Sequence, residues 1–205
     1  MRIITISREF GSGGRELGKH LADVTGFDYY DREIIAAIAH MDELDEDYVE
    51  STLEGQPWTA MPYAFGHTFA ISAAMQPPQI ELIQAQRKVM DGIVDAGRDC
   101  IIVGRNADVF LEDQHPFKIF VCASMEARIQ RCMDRAPEGE QLTRKQVEHN
   151  IKRIDKNRAK TREIMGQGRW NDCDSYNLSV NTTGWDIKEL TPLVAALALR
   201  WLDRR

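Results

Sequence analysis

Residues 11–14 read Gly-Ser-Gly-Gly, and they follow an apolar opening, Met-Arg-Ile-Ile-Thr-Ile, by way of Ser7-Arg8-Glu9-Phe10. Glycines packed this densely let backbone N–H groups converge on an anion with no side chain in the way. The next residues carry Leu17, Leu21 and Val24 on one side, which predicts a helix over 15–24 that Gly26 is placed to end. Such a helix points its positive end at the same place. Strand, glycine loop and helix in this order form a site for holding a phosphate group. A plain tight turn is the alternative, and three glycines in four positions weaken it.

Two registers fit the Walker A pattern, G-x-x-x-x-G-K-[ST]. In one, Gly14-Arg15-Glu16 stands for Gly-Lys-Ser/Thr and Glu9 takes the place of the first glycine. Arg15 then carries the cation on a forked donor set. Glu16 offers a hard oxygen to Mg²⁺, although its charge also repels phosphate. In the other register, Gly13 and Gly18-Lys19-His20 match almost literally, but Gly18 and Lys19 fall inside the helix. The first register is preferred. It gives a donor-phosphate cradle of Gly11, Ser12, Gly13, Gly14, Arg15 and Glu16, with Glu16 as metal ligand. A partial dinucleotide fingerprint is the rival: Gly11-Ser12-Gly13, then Asp31 some twenty residues later, with the third glycine falling on Glu16.

Several arginines stand where solvent alone does not explain them. A helix opened by the capping-box pair Thr143 and Gln146 carries Val147, Ile151 and Ile154 as an apolar stripe. Arg158 and Arg162 continue that stripe, and Asp155 lies beside Arg158 at i, i+3 spacing. A guanidinium there needs a partner, either a phosphate or Asp155 itself, because it cannot shed its charge. Arg128, Arg131 and Arg135 share one face of the helix after Ser124, which as readily describes a solvated basic face. Arg105 follows Gly104 at the carboxyl end of an apolar strand, where open α/β sheets place ligand contacts. Asp31 has the same placement.

These residues need a scaffold, and the pattern supplies one. Apolar strands are expected at 3–7, 27–30, 100–104, 117–122 and 177–181. Helices are expected at 15–24, 31–39, 80–96, 124–135, 143–165 and 186–202. Short apolar strands alternating with helices imply a parallel sheet covered on both faces. Residues 42–54 are acidic and partly helical in expectation. Residues 56–78 hold four prolines and few charges and read as a loop or broken helices. Residues 166–175 read as a loop.

At 205 residues the chain is expected to form one domain. Hydrophobic content of 43% and charged content of 28% are ordinary for a soluble globular protein. A net charge of -6 argues against nucleic acid as the main partner. No signal peptide or membrane span is expected, and Cys100, Cys122, Cys132 and Cys173 form no CxxC pair. They read as reduced thiols of a cytoplasmic protein.

Taken in order, ITISREFGSGGRELGKHLA, FDYYDREII, IIVGRNAD, KIFVCASMEARIQR, IDKNRAK and RWNDCDSYNLSVNT resemble the cytidylate kinase-like family of P-loop nucleoside monophosphate kinases. The resemblance covers nearly the whole chain. It implies a three-layer P-loop NTPase fold: a five-stranded parallel sheet, an acceptor-side helical region at about 40–95 and a lid at about 137–175. It implies ATP and Mg²⁺ as cofactors. By position, Asp31 and Arg105 would lie on the acceptor side with Arg131 and Arg162. Arg128, Asp155 and Arg158 match the post-strand arginine and lid Asp-x-x-Arg of true cytidylate kinases, and with Arg15 they would form the catalytic set. The chain departs from that pattern at Arg15 and Glu16, at Asn106 in place of an aspartate, and at Ile151 in place of a lid arginine. The expected function is ATP-dependent phosphoryl transfer to a nucleoside monophosphate or similar small acceptor, with CMP and dCMP as candidates. A nucleotide-binding sensor without turnover and an NAD(P)-dependent oxidoreductase are the competing classes. Small nucleotides are the expected partners, and the apolar segment 63–75 suggests either a homodimer contact or an acceptor flap.

Overall fold

The computed structural model describes residues 1–41, 46, 49, 79–136, 142–165 and 170–204. Five strands alternate with helices. β1 is Ile3–Arg8, α1 Gly14–Thr25, β2 Asp28–Tyr30, α2 Arg32–Met41, α3 Gln79–Asp95 and β3 Cys100–Val103. A one-turn α4 (Ala107–Phe110) leads to β4 (Phe117–Cys122), α5 (Met125–Asp134), α6 (Arg144–Ile164), β5 (Leu178–Asn181) and α7 (Ile187–Leu202). The strands form one sheet in the order β2-β3-β1-β4-β5, and every pairing is parallel. Ile4 of the central β1 stands opposite Ile101 on one side and Phe117 on the other.

Side chains alternate across a strand, so β1 and β3 feed two cores. Ile4, Ile6, Ile101 and Val103 pack with Leu17 and Leu21 of α1 and Val194 and Ala198 of α7. Ile3, Cys100 and Ile102 pack on the other face with Ile34 and Ile38 of α2 and Leu82 and Met90 of α3. This is the expected parallel sheet covered on both faces. A third, smaller cluster joins Ile129 of α5 to Val147 and Ile151 of α6. The first two residues of the α6 apolar stripe thus pack on α5, ahead of Arg158 and Arg162.

Element ends follow local chemistry. Ser124 caps α5 by accepting from the Ala127 N–H, and Thr143 with Gln146 forms the expected capping box on α6. Gly18 is buried in the interior of α1, which leaves the Gly18-Lys19 register no loop to occupy. β1 runs one residue beyond the expected Ser7, and this brings Arg8 into the sheet. Within the expected 166–175 loop, Cys173–Ser175 form a single 3-10 turn. The expectations for 56–78, the apolar segment 63–75 and most of 42–54 lie outside the described residues. No described helix is long and apolar enough to cross a membrane. All four cysteines are free, and burial pushes the Cys100 thiol up to about 12.

The amino end is tied to the sheet by charge. The Arg2 N–H donates to Asp99 Oδ1 at 2.6 Å, and Arg2 Nε donates to Oδ2 at 2.8 Å. Burial alone would raise the Asp99 pKa, but these hydrogen bonds and the Arg2 charge outweigh it, and the net shift is downward. A depressed folded-state pKa means the unfolded chain binds more protons in the window between the two values. The stabilisation is therefore present above the unfolded carboxylate range and lost as pH falls through the folded pKa. Wild type and Asp99→Asn should differ in melting temperature at pH 7 and converge as pH falls below the ordinary carboxylate range. A constant gap across that range would contradict the pair's role.

Candidate functional site

The loop between β1 and α1 spans residues 9–13. Gly11 and Gly13 both sit in the left-handed region, at φ 75° and 84°, and a Cβ on Gly11 would meet the Arg128 carbonyl oxygen at 3.0 Å. Gly13 caps α1 without a side-chain hydrogen bond, and the first backbone bond of the helix runs from the Leu17 N–H to the Gly13 carbonyl at 2.9 Å. The amides of Gly14, Arg15 and Glu16 precede that bond and point out of the helix end.

The loop is clamped from outside. Arg128, only 4% exposed, donates from Nε to the Phe10 carbonyl at 2.7 Å and pairs with Glu9 Oε2 at 3.3 Å. Asp155 of α6 accepts the Phe10 N–H at 2.8 Å and forms a close ion pair with Arg128. Its contact with Arg158, anticipated from i, i+3 spacing, is longer at 3.9 Å. At the far end, Arg131 Nη1 and Thr182 Oγ1 both donate to the Ser12 carbonyl, at 3.1 and 2.6 Å. Arg131 also donates to Thr182, through Nη1 to Oγ1 and through Nη2 to the carbonyl, each at 2.8 Å. The basic face of α5 is therefore not simply solvated: Arg128 and Arg131 hold the two ends of the glycine loop.

Arg15 and Glu16 are both engaged by protein partners. The Arg15 side chain is half exposed and forms a close ion pair with the buried Asp31 at the end of β2. Glu16 is ion-paired with Arg135.

A second cluster lies at the carboxyl ends of β1 and β3. Gly104, Arg105 and Asn106 take left-handed φ values of 76°, 58° and 52° in succession. This turn swings Arg105, 4% exposed, under the sheet edge. Arg8, Arg105 and Arg158 line a pocket with Ser7, Gln86 and Trp170. Among the described residues, three guanidinium groups and no carboxylate stand in its lining, with Asp31 and Asp155 each 3.9 Å from one of them. Arg158 Nη1 donates to the Arg8 carbonyl at 3.0 Å, which ties α6 to the end of β1. Gln86 is fully buried, and its side-chain oxygen has no hydrogen-bond partner among the described residues. Arg162 lies beneath the pocket, paired with the buried Asp108 at 2.5 Å and lying 5.5 Å from the centre of the Tyr176 ring. Burial first, and the Asp108 charge second, push the Tyr176 hydroxyl up to about 12, so it stays protonated as a donor.

Of the residues the sequence reading named, Arg105 and Arg158 line one pocket, while Asp31 is paired with Arg15 and Arg162 with Asp108. That reading missed Arg8, Asp108, Gln86 and Trp170. A signal existed only for Arg8, an arginine closing a strand whose residues are all buried.

No curated protein matches the chain. Among solved structures, it superposes on an uncharacterized protein from Eubacterium ventriosum with a TM-score of 0.68 at 20% identity, covering 100% of both chains. It is also similar to a shikimate kinase from Acinetobacter baumannii in complex with shikimate, with a TM-score of 0.55 at 13% identity over 98% of this chain and 94% of that one. A gluconokinase from Sinorhizobium meliloti gives a TM-score of 0.55 at 11% identity, over 99% and 94%. The sheet order and flanking helices are those of a P-loop kinase fold. A family model matches residues 3–184, and the chain belongs to the cytidylate kinase-like family.

Proposed function

We propose that this protein transfers the γ-phosphoryl group of ATP to a small anionic acceptor, with nucleoside monophosphates such as CMP and dCMP as the first candidates. The carrying observation is the juxtaposition of a clamped glycine loop with a pocket lined by Arg8, Arg105 and Arg158. In this reading the loop amides bind the donor phosphates and the pocket binds the acceptor's anion. The bond from Pγ to the bridging oxygen breaks, a bond to an acceptor oxygen forms, and any proton on that oxygen leaves to solvent. Positioning and charge neutralisation dominate such chemistry, so no dedicated base is required. Asp31 and the Gln86 oxygen would accept hydrogen bonds from acceptor hydroxyl or amino groups. Movement of α6 would bring Arg158 onto the substrates and exclude water.

The fit to the cofactors is uneven. The glycine loop, with its left-handed turns and outward amides, suits a polyphosphate. Glu16 suits Mg²⁺ by chemistry, but its carboxylate is engaged by Arg135, and that pair must open for it to serve as ligand. Mg²⁺ would neutralise the donor phosphates when bound.

A coupled ADP-release assay tests the proposal. ATP and Mg²⁺ are supplied with CMP, dCMP, UMP, AMP or GMP, and with shikimate or gluconate, whose carboxylates suit the same arginines. Turnover with one acceptor is expected. Arg158→Ala should lower turnover about a hundredfold while changing ATP affinity little, as loss of a contact made mainly in the transition state does. An unchanged rate would remove Arg158 from the site. Silence with every acceptor, together with measurable ATP binding, would favour a nucleotide sensor. The ion pairs that engage Arg15 and Glu16 are the observation on that side.

A further inference from the structure

Arg8 belongs to neither the glycine loop nor the α6 arginines, yet the fold makes room for it specifically. Its stem passes the start of α1, where a Cβ on Gly14 would lie 2.6 Å from Arg8 Cβ. Its head lies over the β3 exit, where a Cβ on Gly104 would lie 1.6 Å from Nη1. Gly14 has no left-handed backbone to explain it, and a glycine at a helical position carries a propensity cost. The close approach of Arg8 does explain it. Two glycines from separate elements thus form a slot, and the side chain lying in it is 6% exposed.

The slot runs from the phosphate cradle to the arginine pocket. The guanidinium lies 3.9 Å from Asp31, and Arg8 lines the pocket with Arg105 and Arg158. Its charge therefore stands between the two sites, where a phosphoryl group would be in transit. Gly14 has no side chain, and Arg15 reaches the same Asp31 carboxylate from a half-exposed position and is neutralised by a close ion pair, whereas Arg8 is buried and held in its slot. We propose that Arg8, arriving from the strand, contacts the terminal phosphate of the donor and supplies the cation that a loop lysine otherwise supplies. This rests on the phosphotransferase reading above and adds a residue and a role to it.

Calorimetric titration of wild type, Arg8→Met and Arg8→Lys with ATP, ADP and AMP in the presence of Mg²⁺ provides the test. Damage to the loop alone would weaken ATP and ADP by the same factor, because both fill the cradle. Contact with the terminal phosphate instead makes the ratio of ATP to ADP affinity the readout. Arg8→Met should lower that ratio about tenfold or more and retain a cooperative thermal transition. Arg8→Lys should recover part of the ratio. An unchanged ratio in both variants, with wild type still binding ATP, would overturn the Arg8 assignment and leave the phosphotransferase reading standing. A wild type that binds none of the three nucleotides would overturn both.

Discussion

Arg162→Ala should lower the melting temperature by roughly 6–20 °C, the shift that about 3–5 kcal/mol produces in a domain of this size. Arg162 and Asp108 are almost wholly buried and meet at 2.5 Å. Asp108 also accepts from Ser7 Oγ at 3.3 Å, a weak replacement for a guanidinium. Removing Arg162 therefore leaves a carboxylate in a dry site with little compensation. Removing both charges should cost much less, because the loss comes mainly from the uncompensated ion. The double variant Arg162→Met/Asp108→Asn should melt well above Arg162→Ala. Calorimetric melting of Arg162→Met, Asp108→Asn and the double variant measures the coupling, and additive losses would contradict it.

Arg128→Ala should have the second large effect, and on binding as well as stability. This residue bridges Glu9, the Phe10 carbonyl and Asp155 from a buried position. Without it the Glu9 and Asp155 carboxylates flank the loop entrance with no guanidinium between them. The expected cost is again about 3–5 kcal/mol. The loop that should hold the donor then loses its anchor, so ATP affinity should fall by about tenfold or more. Arg128→Lys keeps the charge but not the forked geometry and should recover only part. Melting curves with parallel ATP titrations check this, and full ATP affinity in Arg128→Ala would contradict the clamp.

The strands and most helices were legible because their causes are local. Strands buried on both faces read as apolar runs, and Ser124, Thr143 and Gly26 mark helix ends by their own chemistry. The glycine loop was legible for the same reason. The turn at Gly104-Arg105-Asn106 and the short α4 after it were not legible. Arginine gives no warning of a left-handed backbone, and only the tertiary setting holds it there. The arginines were legible as anomalies but not as contacts. Arg162 breaks an apolar stripe visibly, yet its partner Asp108 lies 54 positions away. Asp155 was matched to Arg158 by helical spacing, whereas its close partner is Arg128 on another helix. Arg8 gives little sign of burial in the sequence, because a charged residue ending an apolar run reads as the end of the strand. Its burial depends on Gly14 and Gly104, which sequence cannot bring together.

The proposed phosphotransfer requires the loop between β1 and α1 to cradle the donor's phosphates. Amide chemical-shift changes in the ¹⁵N-labelled protein on adding MgATP test it most directly. Large shifts are expected at Gly11, Gly13, Gly14, Arg15 and Glu16 with ATP and ADP, and small ones with adenosine. Shifts confined to other parts of the chain, with these five amides unmoved, would contradict it.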